Sequence, residues 1–177
     1  MVRALHVEAV IPQRQAKALV VFFSRTGTNR LLAESIARVC PADIEELREA
    51  RSHAGALGWL RSGYEATYRL ASPTSPLRSR LEAYDIVFVG SPTWNRAVSS
   101  PVRGFLRASA GKLKCVALFA TCAEHGAEDV VAEMAGILQP RPLATLAARE
   151  AEVRLNSDVQ ARELVRRTLG AWQITFE

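Results

Sequence analysis

No hydrophobic run in this chain approaches the ~20 residues that a bilayer-crossing helix needs. The N-terminal stretch MVRALHVEAVIPQRQA is broken by His6, Glu8 and Pro12. No small-residue cleavage site follows it, so it does not read as a secretory leader. Both absences point to a cytoplasmic protein. Cysteine is scarce: Cys40, Cys115 and Cys122 are odd in number and form no C-x-x-C pair, which argues against a disulfide framework and against zinc. His6, His53 and His125 are scattered, none at ligand spacing from a cysteine, so no metal site is expected. Two phosphate-binding signatures are missing as well. There is no G-x-x-x-x-G-K-[ST] and no G-x-G-x-x-G, which sets aside triphosphate loops and dinucleotide fingerprints.

What is present suits one globular domain. The 177 residues match a single core, and 49% of them are apolar. A net charge of +5 raises the question of an acidic partner such as nucleic acid. Arg, however, alternates with Glu, as in RELVRRTLG and EELREARS, and no basic stripe carries interleaved aromatics. Those are solvated helix faces, so neither nucleic acid nor membrane is expected as a partner.

Strand-like runs alternate with helical patterns. KALVVFF (17–23), DIVFVG (85–90) and KCVALFA (114–120) are continuously apolar, as strands covered on both faces of a parallel sheet are. DIEEL (43–47) reads as an edge strand, and LATLAAREAEV (143–153) as a last strand that frays into polar residues. Helical spacing covers 29–39, 54–70, 101–109 and 126–138. Ser100 is a plausible N-cap with Pro101 in the first helical position. A final helix starts near Ser157, with Gln160 completing a capping box, and buries Val165, Leu169 and Trp172. Repeated βα units with right-handed crossovers give an α/β protein, an open sheet with helices on both faces. Such sheets bind ligands beyond the C-terminal strand ends, at the switch point. Three loops follow apolar strands there: 24–29, 91–98 and 121–126.

In the first loop, Ser24, Thr26, Thr28 and Asn29 offer donors around Gly27, at the amino end of a helix, where an anion is favoured. With no lysine, the loop suits a monophosphate; the alternative is an ordinary helix cap. In the second, Trp94 stands in a polar loop and offers a stacking surface, or else folds back onto the protein. The third, Thr121 to Gly126, is small and polar and could close over the other side of a flat heterocycle. Cys122 follows a buried strand and reads as a space-filling residue.

Three stretches, FFSRTGTNRLLAESIA, YDIVFVGSPTWNRAVSSPVRGFL and KCVALFATCAEHG, together resemble the flavodoxin family over about residues 17–172. The resemblance implies a doubly wound five-stranded parallel sheet of order 2-1-3-4-5, formed by one domain from 17 to 177, with FMN at the switch point. Residues 1–16 lie outside it and receive no role. It further implies that Ser24, Arg25, Thr26, Gly27, Thr28 and Asn29 hold the FMN phosphate. Pro92, Thr93, Trp94, Asn95 and Arg96 would line one side of the isoalloxazine, and Thr121, Cys122, Ala123 and Gly126 its pyrimidine side. Here Thr28 and Asn29 are exchanged relative to the family's usual Thr-Gly-Asn-Thr order, and the third loop lacks the outer aromatic of many flavodoxins. The implied function is that of an electron carrier docking with a reductase and an acceptor. The alternatives are a small FMN-dependent NAD(P)H oxidoreductase acting on quinones or similar acceptors, and a domain that has lost FMN. The stretch from Ser91 to Lys114 holds Arg96, Arg103, Arg107, Lys112 and Lys114 and no acid, so the reduced flavin is expected to be a weaker donor than in acidic flavodoxins.

Overall fold

The computed structural model describes residues 16–48, 74–138 and 141–176. The chain before residue 16 and the helical pattern read at 54–70 lie outside the described residues.

The apolar runs become strands because each side of each strand is covered. β1 (Ala18–Phe22) is buried throughout. Leu19 and Val21 point into one core, and Val20 and Phe22 into the other. Side chains alternate at a period of two, so a central strand needs apolar residues at every position. β3 (Ile86–Trp94) and β5 (Cys115–Cys122) divide in the same way, with Val87, Val89, Val116 and Leu118 on one side and Ile86, Phe88, Ala117 and Phe119 on the other. β2 (Ala42–Glu46) lies at an edge and is only partly covered, which is why its sequence is polar. β6 (Ala144–Arg149) forms the other edge.

The strand order is β2-β1-β3-β5-β6, all pairs parallel. Counting only these five, the order is the expected 2-1-3-4-5. A sixth strand, β4 (Ala97–Val98), pairs antiparallel with the end of β3. α1 (Thr28–Val39) and α4 (Glu150–Phe176) cover one face through Leu32, Ile36, Val153 and Leu164. α2 (Ser100–Ala108) and α3 (Ala127–Ile137) cover the other through Val102, Leu106, Val130 and Met134.

Two boundaries differ from the sequence expectation, and both shape the site. β3 does not stop at residue 90; it continues to Trp94 and turns back through Asn95 and Arg96. Their φ values of 47° and 57° are those of a two-residue hairpin turn whose twist matches the paired strands. At the other edge, the polar end of the expected strand 143–153 is helix. β6 stops at Arg149 and helix already begins at Glu150, ahead of the expected start near Ser157, where a second helical segment of α4 begins after a break. Residues 150–155, EAEVRL, are mostly strong helix formers. The helix breaks at Asn156 (φ −141°, ψ 39°), just before Ser157, whose Oγ accepts a hydrogen bond from Ser35 at 3.0 Å.

Gly90 sets the middle of the sheet. Its register partner is Phe119, and a Cβ at Gly90 would lie 2.1 Å from that ring's Cζ. The glycine is the space into which Phe119 packs.

Candidate functional site

α1 begins at Gly27, whose φ of 86° is left-handed and favours glycine. No side chain caps this helix. Ser24 Oγ accepts the Arg30 N–H at 3.3 Å, but the two threonines face elsewhere. Thr26 Oγ1 donates to Glu150 Oε1 at 3.2 Å, and Thr28 Oγ1 to Glu150 Oε2 at 3.1 Å; the two hydroxyls are 3.2 Å apart. Arg154, one turn further along α4, reaches Thr28 Oγ1 at 3.4 Å and Glu150 Oε2 at 3.5 Å. α1 has no acid in its own first turn, whereas α3 opens with Glu128 and Asp129. A helix start presents unpaired N–H groups and partial positive charge. Here the negative partner comes from another helix, as the Glu150 carboxylate on the two threonine hydroxyls.

Asn29 is placed differently from its neighbour. Its amide donates to the Phe23 carbonyl at 3.0 Å and accepts from Thr121 Oγ1 at 3.0 Å, and both Asn29 and Thr121 are buried. The side chain braces the first loop against β5, while Thr28 faces the Glu150 carboxylate.

The hairpin supplies the second wall. Trp94 is 8% exposed, stands edge-on to Phe23 (5.6 Å between centroids, 89° between planes), and carries the Arg25 guanidinium over its ring at 6.0 Å. Pro92 and Thr93 are half-buried beside it. Thr93 Oγ1 is the one buried side-chain nitrogen or oxygen without a hydrogen-bond partner among the described residues. The turn is pinned from behind. Arg96 forms two hydrogen bonds to Asp129 Oδ2, at 2.9 and 2.7 Å, and passes over Gly126. Glu133 accepts the Val98 N–H at 3.1 Å and the fully buried Arg103 guanidinium at 3.0 and 2.8 Å. In the third loop Thr121, Cys122 and Gly126 are buried, while Ala123, Glu124 and His125 are exposed. Burial raises the Cys122 thiol pKa, which makes it a poor nucleophile and suits a packing role. No group of three or more His, Cys, Asp or Glu among the described residues is placed to hold a metal.

Three of the five cations of the 91–114 stretch are held by acids, so the basic run in sequence is not a basic patch of the same size at the site. Arg96 is paired with Asp129 and Arg103 with Glu133. Lys114 pairs with Asp85 at 3.6 Å, at the opposite end of the sheet. The eight residues of β5 separate it from the third loop by roughly 26 Å, well beyond a Debye length of about 8 Å. Acids from distant segments thus pair with Arg96, Arg103 and Lys114.

Sequence reasoning missed Glu150 and Arg154. The strand read at 143–153 takes in Glu150 and stops one residue short of Arg154, although Glu followed by Arg four residues later is a helix-stabilising pair. Phe23, the aromatic neighbour of Trp94, was likewise read only as strand.

A doubly wound sheet with a hydroxyl-bearing loop and an aromatic hairpin at its switch point defines the class. Residues 17–142 match the family model for flavodoxin, and the chain belongs to that family. Solved structures share the fold. A flavoprotein from Lactobacillus acidophilus, in complex with FMN, is 18% identical and has a TM-score of 0.65, covering 79% of this chain and 97% of its own. Flavodoxin 2 from Bacillus cereus, in its oxidised form, is 18% identical with a TM-score of 0.58, covering 88% and 99%. A flavodoxin, WrbA-like protein from Agrobacterium tumefaciens is 18% identical with a TM-score of 0.55, covering 89% and 98%. No curated protein matches the chain in sequence. No helix among the described residues is long and apolar enough to cross a membrane.

Proposed function

We propose that the chain binds FMN across these three loops and works as a one- or two-electron carrier between a reductase and an acceptor protein. The observation that carries this reading is the convergence of the Thr26 and Thr28 hydroxyls on a carboxylate at the start of α1. A phosphate monoester presents the same acceptor chemistry with more oxygens and more charge. The donor set fits it: hydroxyls and a helix amino end, without the lysine of a triphosphate loop. Ser24, Arg25 and Gly27 complete the loop around it. Thr93 Oγ1, buried and unpartnered, is a ready hydrogen-bond group for a heterocycle laid along the hairpin. Trp94 offers its ring face once Arg25 moves aside, with Pro92, Asn95 and Arg96 beside it. Thr121, Cys122, Ala123 and Gly126 would border the opposite edge. The isoalloxazine supplies the redox chemistry, and the protein supplies binding and orientation.

The carrier reading draws support from the surface beside the third loop. A concavity of about 300 Å³ there is lined by charged and polar groups, among them Glu124, His125, Glu128, Arg149 and Glu152. Pockets for apolar substrates such as quinones are lined mainly by hydrophobic side chains. The reading includes a cytoplasmic location, supported by three buried cysteines without a disulfide. The test is the visible spectrum of protein reconstituted with FMN, followed by NADPH oxidation with menadione. Stoichiometric flavin without menadione turnover is the expected result. Rapid turnover would make the protein an FMN-dependent oxidoreductase, and a protein that takes up no FMN would overturn the reading.

A further inference from the structure

We propose that Glu150 is an internal competitor for the flavin phosphate, and that Arg154 is the cation the phosphate recruits when Glu150 leaves. This rests on the FMN reading and concerns how the cradle is kept before the cofactor arrives. The Glu150 carboxylate takes both threonine hydroxyls, one on each oxygen. Its side chain is only 23% exposed, so in this position it depends on those donors and on Arg154. A phosphate monoester carries about 1.5 to 2 negative charges at neutral pH. A carboxylate and that group do not share one pair of hydroxyls, because like charges at contact distance repel and each donor serves one acceptor at a time. Glu150 is the first residue of α4, directly after β6, so rotation of its side chain clears the cradle without disturbing either element.

The other cations near the loop are engaged elsewhere. Arg30 holds Glu46 through both carboxylate oxygens, and Arg25 lies over Trp94. Arg154 already reaches Thr28, and its side chain is 58% exposed, free to follow an incoming anion. The exchange trades a carboxylate for a phosphate in the same hydrogen bonds. By population arithmetic, a closed state favoured tenfold over the open one weakens the apparent FMN affinity tenfold.

The experiment is a titration of the apoprotein with FMN and, in parallel, riboflavin, read by flavin fluorescence, on the wild type, Glu150→Gln and Arg154→Met. Glu150→Gln is expected to bind FMN about tenfold more tightly or better, with riboflavin affinity unchanged. Arg154→Met is expected to bind FMN about tenfold more weakly, again with riboflavin unchanged. Melting temperatures with inorganic phosphate give a flavin-free readout: phosphate should stabilise Glu150→Gln at concentrations that leave the wild type unmoved. Should Glu150→Gln fold poorly, Glu150→Asp, too short to reach both hydroxyls, should show the same tightening. Unchanged FMN affinity in Glu150→Gln, or an equal change for riboflavin, overturns the competitor. Unchanged FMN affinity in Arg154→Met overturns the recruited cation. In either case wild-type FMN binding would leave the FMN reading standing, whereas no flavin or phosphate binding by any form would overturn both.

Discussion

Replacing Glu133 with alanine takes a carboxylate away from a charge in the protein interior. The Arg103 guanidinium is fully buried, and the Glu133 side chain that receives two of its N–H groups is 14% exposed. The same carboxylate takes the Val98 N–H, so β4 loses its anchor as well. Breaking a buried ion pair from one side costs about 3–5 kcal/mol, because the remaining ion keeps its desolvation penalty. Against a total stability of about 5–15 kcal/mol this is a large share. With a urea slope of about 2 kcal/mol per molar, the unfolding midpoint of the apoprotein should fall by about 1.5–2.5 M. The comparison belongs to apoprotein, since bound flavin would add its own stabilisation. Replacing both partners, Arg103→Met with Glu133→Leu, should recover most of the loss, because the buried charge leaves together with its carboxylate. Flavin affinity should remain reduced in the double variant, as Val98 still lacks its acceptor. A Glu133→Ala loss below about 1 kcal/mol, or a double variant as unstable as the single one, would refute this reasoning.

Gly90→Ala should destabilise by at least about 1–3 kcal/mol, since its Cβ would meet the fully buried Phe119 ring and overpacking has no room to relax; thermal unfolding checks this, and Phe119→Leu in the same chain should restore part of the loss. Thr28→Val should weaken FMN binding about 10- to 100-fold and leave riboflavin alone, the scale of one hydrogen bond to a charged group; equal weakening of both would show that the hydroxyl does not meet the phosphate. Stability should decline at alkaline pH. Burial raises the thiol pKa values of Cys40, Cys115 and Cys122 above 9.0, and the hydrogen bond from Tyr84 to Asp43 raises the phenol above 10.0. The folded state thus keeps protons that the unfolded chain releases, so stability is intact below pH 9.0 and falls as pH rises through the folded pKa values. Urea midpoints across that range measure the effect, and a chain with all three cysteines changed to alanine should show a shallower fall.

The sheet was legible because burial on both faces leaves a continuous apolar run, and β1, β3 and β5 carry such runs. The first loop was legible for a related reason: a glycine between hydroxylic residues, after a strand and before a helix, is a local pattern. The hairpin at Asn95 and Arg96 was not, because neither residue is the glycine that usually marks left-handed turn positions. Its conformation is held by contacts to Asp129 and Glu133, more than thirty residues away in α3.

Local chemistry in the chain therefore settled the α/β class and the three loops that follow its apolar strands, and the resemblance to a family added the strand order. Tertiary structure alone decided which charges meet. It brought Glu150 and Arg154 to the hydroxyls of Thr26 and Thr28, and it paired Arg96, Arg103 and Lys114 with acids from elsewhere. The physical reason is range. Strand and helix patterns arise from neighbours a few residues apart, whereas a charge acts on whatever folding places within a few ångströms.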